Sequence, residues 1–106
     1  MQNANGHFVN LSRGKVHYQF LNGDAKKPLV LCIHGINAKS AVWNDFSQKC
    51  NKYGYPILSP DLYGRGLSED AGIKNNIQLF ISQIEELIIH IYRRHSIISP
   101  PFGVGL

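Results

Sequence analysis

Two stretches of this 106-residue chain hold the residue types from which a reaction centre can be built. His34-Gly35 follows the apolar run Leu29-Val30-Leu31-Cys32-Ile33, and Asp61-Leu62-Tyr63-Gly64-Arg65-Gly66-Leu67-Ser68 follows Ile57-Leu58. A glycine at a strand end lets the backbone turn sharply, so that the N–H groups that follow can point into a cavity and stabilise an oxyanion. In the second stretch Gly64 and Gly66 permit a tight turn, and Asp61 can accept backbone N–H bonds within it. That predicts an architectural carboxylate and not a general base. Gly64-Arg65-Gly66 makes a poor phosphate or dinucleotide cradle, since it lacks a third glycine in register and a helix directly after it. The chain also has no Gly-Lys-Ser/Thr of a P-loop.

The remaining reactive side chains point to structure. A lone histidine beside a glycine at a strand end, as His34 is, predicts a hydrogen-bonding residue. His7, His17, His90 and His95 show no metal-ligand spacing, and the last two are five apart, off a common helical face. No metal and no cofactor are expected. Cys32 within an apolar run and Cys50 on a helix face read as buried free thiols, not as a disulfide framework.

The elements that must hold these residues follow from periodicity. Val16, Tyr18 and Phe20 alternate with Lys15, His17 and Gln19, which predicts a half-buried strand over 15–21. The Ser12-Arg13-Gly14 turn pairs it with 7–11 in an antiparallel hairpin. Asn22-Gly23-Asp24 and Lys26-Lys27-Pro28 form a solvated loop. Leu29 to Ile33, five apolar residues without alternation, fits a parallel strand covered on both faces. Ser40 is placed to cap a helix whose apolar side is Trp43, Phe46, Cys50 and Tyr53, ending at Gly54. After the short strand at Ile57-Leu58 an amphipathic helix begins at Asn76, with Ile77, Phe80, Ile81, Ile84, Leu87, Ile88 and Ile91 on one face. Arg93 and Arg94 close its C-terminal end, where cations suit the helix dipole. Such a stripe could lie on a membrane surface or a partner, but a helix packed on a sheet requires the same pattern. The order is β-hairpin, β, α, β, α, an α/β organisation.

Composition sets the bounds. At 43% hydrophobic and 17% charged the chain is globular in character, and its length suits one small domain. No apolar run approaches the roughly 20 residues of a membrane span. The N-terminus has neither the basic start nor the apolar stretch of a secretory signal, so a cytoplasmic location is expected. The Asn10-Leu11-Ser12 sequon is then without a route to use. A net charge of +4 is dispersed, without a basic block or interleaved aromatics, and nucleic-acid binding is weakly motivated.

Taken in order and at their spacing, His34-Gly35, the Trp43 helix and the Asp61 to Ser68 turn resemble the opening half of an α/β-hydrolase, over about residues 8–94. The resemblance implies an incomplete N-terminal portion of that sheet, with the fourth strand between the second and third and a fifth covering the third strand's other edge. It implies acyl transfer by a nucleophile, histidine and acid triad acting on esters or related acyl substrates in a full-length form, while epoxide hydrolysis and dehalogenation use the same fold. By position, one oxyanion-hole N–H falls to the loop after the third strand: Ile36 as donor, flanked by Gly35, with Asn37 able to add a side-chain contact. His34, Asp61, Gly64, Arg65, Gly66 and Ser68 map to structural motif positions.

Residues 95–106 depart from the pattern, and no Gly-x-Ser-x-Gly elbow is present. Setting Gly103 on the elbow's last glycine puts Pro101 at the nucleophile position. Ser99 precedes two prolines that have no N–H to give, and it has no identifiable base. No catalytic residue is therefore assigned, and this chain is expected to be inactive by itself. Leu29 to Ile33 is then expected to be an exposed edge, prone to self-association. From that edge comes a rival reading, a non-catalytic interaction protein that pairs through its strand edge or its apolar helix.

Overall fold

The computed structural model describes residues 6–35, 37–95 and 97, and the backbone of 102–105. Strands β1 (Gly6–Leu11) and β2 (Gly14–Leu21) form the antiparallel hairpin, closed by the two residues Ser12 and Arg13. β3 (Val30–Ile33) leads through a 3-10 turn (Ser40–Trp43) into helix α1 (Asn44–Asn51), followed by β4 (Ile57–Pro60), helix α2 (Ile77–His95) and β5 (Phe102–Gly105). The sheet order is β1-β2-β4-β3-β5, with β4, β3 and β5 mutually parallel, β2 antiparallel to β4, and β1 antiparallel to β2.

β3 lies in the middle of the parallel part and is covered on both faces, which is why its sequence does not alternate. On one face Leu31 joins Tyr18, Phe20, Leu29, Leu58, Leu87 and Ile91 beneath α2. On the other, Val30 and Cys32 pack with Ile57 and Trp43 beneath the 3-10 turn and α1. Each large side chain so buried contributes about 1.5–3 kcal/mol relative to exposure. Burial also pushes the Cys32 thiol up to about 11, against the opposing hydrogen bonds of Ser59 and Ser47. Cys32 and Cys50 are both free thiols.

Several expectations change. β3 is not an edge: β5 runs parallel along it, pairing Val30 with Phe102 and Ile33 with Gly105. The prolines do not prevent this, because β5 begins at Phe102, after both of them in sequence. Ser40 is no N-cap. The residue before the turn, Lys39, makes no side-chain cap, and Ser40 itself is buried. Tyr53 lies off the core side of α1, at 75% exposure. His17, read as facing solvent, is buried, since the turn after β4 packs over that face of β2. In α2 the buried residues are Leu79, Gln83, Leu87 and Ile91, whereas Ile77 is 70% exposed and Ile81 is also exposed. Asn76 caps the helix, its Oδ1 accepting the Leu79 N–H at 2.9 Å.

Candidate active-site frame

The segment after β4 is built around one carboxylate. Asp61 is buried, and its Oδ1 accepts the Ser40 N–H at 2.7 Å while its Oδ2 accepts the Leu67 N–H at 3.0 Å and bonds His17 Nδ1 at 2.8 Å. Burial by itself pushes the Asp61 carboxyl upward, but the amides of Leu67 and Ser40, together with His17, outweigh it and hold the group below its ordinary range. Its lone pairs are committed to the frame, so the group works as an anchor.

The rest of the motif closes on the same point. Ser68 Oγ donates to the Asp61 carbonyl at 2.7 Å and accepts the His17 N–H at 2.9 Å, joining the end of the turn to β2. Gly66 adopts φ +53°, and a Cβ there would run into the Asp61 carboxylate. Gly64 adopts φ +78°, and a Cβ there would make only an ordinary contact with Asp70 Oδ2 at 3.9 Å, so its requirement is conformational. Arg65 donates from Nη1 to the Tyr63 carbonyl at 3.0 Å and lies over the Phe80 ring, 5.6 Å from its centre.

His34 joins the two loops. Its Nε2 accepts the Leu62 N–H at 3.0 Å, which leaves the proton on Nδ1, 2.6 Å from the Gly35 carbonyl. That carbonyl also accepts the Ala38 N–H at 3.0 Å. Gly35 does not enter the left-handed region, and a Cβ there would meet nothing within 4 Å. The turn is thus made without the backbone freedom that the glycine suggested. Asn37 is exposed, and Ile36 lies outside the described residues, as do Ser99 and Pro101.

Three residues of this frame escaped the sequence reading: His17, Ser40 and Gln83. Gln83 is fully buried, donating from Nε2 to the Asp61 carbonyl at 2.9 Å and accepting the Tyr63 N–H at 3.0 Å. A signal existed, for Gln83 is the one polar member of the Leu79, Gln83, Leu87 row at four-residue spacing. A cleft of about 300 Å³ opens beside the frame, lined by His17, Gln19, Lys39, Ser40, Asp61 and Leu67 among others. Among the described residues there is no His, Cys, Asp or Glu group fit to hold a metal, and no helix is long and apolar enough to cross a membrane.

The register of β5 rules out the expected placement of the elbow: Ile33 and Gly105 are partners, so β5 ends level with Ile33, at the root of the His34-Gly35 loop. Pro101 precedes the strand and is excluded as the turn position.

This strand order is that of the N-terminal part of an α/β-hydrolase sheet, and solved structures share the fold. A thioesterase domain from the curacin biosynthetic pathway matches at 25% identity and a TM-score of 0.75, over 94% of this chain and 36% of that one. A hydrolase from Pseudomonas aeruginosa PA01 matches at 21% and 0.78, over 99% of this chain and 37% of its own. An epoxide hydrolase from Vigna radiata matches at 24% and 0.79, over 94% and 30%. The chain therefore spans about a third of the length of these structures. No protein-family model matches the sequence, and a search of curated proteins finds no match.

Proposed function

We propose that this chain is the oxyanion-side part of an α/β-hydrolase catalytic domain whose complete form hydrolyses ester or related acyl bonds through a serine nucleophile. The observation that carries the reading is the pairing of Ile33 with Gly105. It sets the end of β5 beside the His34-Gly35 loop, where a nucleophile on the turn after β5 and a backbone donor from the loop after β3 would face one carbonyl group. Gly105-Leu106 then takes the first two positions of Gly-x-Ser-x-Gly. In this reading Ile36 and Asn37 lie on the oxyanion side, and the Asp61 to Ser68 turn with His34 holds that side rigid.

The test is the coding sequence beyond the Leu106 codon, followed by expression of the extended chain with p-nitrophenyl acetate and a fluorophosphonate label. The reading expects a serine as the next residue, a glycine two further on, labelling at that serine, and loss of turnover in its alanine variant. Residues 1–106 alone are expected to show no turnover above background. An aspartate at that position would redirect the chemistry to the class of the epoxide hydrolase neighbour and overturn the ester reading. Absence of any nucleophile within that turn would overturn the hydrolase reading altogether.

A further inference from the structure

Three histidines that the frame does not use gather on the opposite face of the hairpin from Asp61. His7 of β1 stacks on the Tyr18 ring at 5.3 Å, and His90 of α2 meets the same ring edge-on at 6.2 Å, with its Nε2 3.5 Å from the Tyr18 hydroxyl. Five residues on, His95 stacks on Phe20 at 4.1 Å. Tyr18 and Phe20 are core residues, so these imidazoles form the contact between the hairpin and the C-terminal half of α2.

We propose that His7, His90 and His95 form an acid-released latch between the β1–β2 hairpin and the end of α2. When neutral, the three rings pack on Tyr18 and Phe20; when charged, they repel one another and Arg94. The charged groups around them are of one sign. From α2 come Arg94 and, on the same turn, Arg93; from β2 comes His17, which also opposes charge on His7. Arg94 and the neighbouring imidazoles, and not a carboxylate, are the groups that act electrostatically on the three rings. Glu86, the nearest acid along that side of α2, is engaged by the Ser12 amide and hydroxyl at 2.8 and 2.6 Å.

Burial first, and then the Arg94 charge, lower the affinity of all three rings for a proton. The C-terminal dipole of α2 works in the other direction at His95. The net direction remains downward, so desolvation and Arg94 win. A basic group whose folded affinity lies below its unfolded value of 6.5 stabilises the fold above that pH and withdraws this support as the pH falls through 6.5 toward the folded value. The latch is independent of the hydrolase reading.

Hydrogen exchange of residues 1–106 at pH 7.5 and 5.5, corrected for intrinsic rates, tests it. Amides of β1 and of residues 88–95 are expected to lose roughly tenfold or more of their protection at pH 5.5, which lies one pH unit below the unfolded value of 6.5. Residues 57–68 should change less. In the triple variant His7→Gln, His90→Gln, His95→Gln the difference should vanish, and in Arg94→Gln it should shrink. Equal protection of the wild type at both pH values, or an undiminished loss in the triple variant, overturns the latch. Should the triple variant not fold, NMR titration of the wild-type imidazoles decides. Midpoints below 6.5 that move together with the amide shifts of Phe8 and Ile91 support it, and midpoints at 6.5 without those shifts overturn it.

Discussion

The loops after β3 and after β4 leave neighbouring parallel strands side by side, yet they are held in different ways. The turn from Asp61 to Ser68 is fastened from three elements at once: His17 of β2, Ser40 of the 3-10 turn and Gln83 of α2. The loop from His34 to Lys39 is fastened at its base by the His34 ring and at its far end by the Ser40 amide on Asp61, while Asn37 between them faces solvent. Binding residues are commonly carried on loops that a rigid scaffold positions. Here the richly bonded turn is the scaffold, and Asn37 on the neighbouring loop is exposed.

Substitutions can break that contrast, beginning with its centre. Asp61→Ala leaves the Ser40 and Leu67 amides and His17 without their acceptor in a buried place, and it should cost about 3–5 kcal/mol in a urea titration followed by circular dichroism. Loss below 1 kcal/mol would mean that the turn is not held through Asp61. Gly66→Ala is expected next, at about 2 kcal/mol or more, because the left-handed backbone and the Asp61 carboxylate both oppose a Cβ.

A smaller effect is set by pH. Asp61 is held below its ordinary 3.8, so its contribution is complete above that value and is lost as the pH falls through the lower folded value. Asp61→Asn should flatten the stability profile below pH 3.8, on a background already lowered by histidine protonation. An unchanged acid limb would show that other carboxylates control it. Asn37→Ala, on the exposed loop, should shift stability by no more than about 0.5 kcal/mol. A large loss there would erase the difference between the two loops.

Much of the fold was legible because burial imposed simple patterns. The Val16, Tyr18, Phe20 alternation located β2, the unbroken Leu29 to Ile33 run located β3, and the paired glycines located the turn. The frame within the site was less legible, because its members serve partners remote in sequence. His17 sits on a face that alternation assigns to water, and it is covered by Phe8 from β1 and by the turn more than forty residues later. In α2 the isoleucines outweighed Gln83, although the glutamine sits closer to the centre of the buried face and meets two backbone groups that an apolar residue would leave unsatisfied. β5 was hidden for another reason: Phe-Gly-Val-Gly is short and half glycine, and its pairing is dictated by the open side of β3 and not by its own propensity.

The His34 ring has a mechanical consequence. Adjacent strands are spaced by backbone pairing at about 4.8 Å, but beyond the last paired residues that spacing no longer applies. A planar ring of fixed width, seated on the Leu62 amide at one nitrogen and on the Gly35 carbonyl at the other, acts there as a strut. The two loops are thereby joined at their roots by one ring, so that the separation of the two exits is set by side-chain geometry and not by strand pairing.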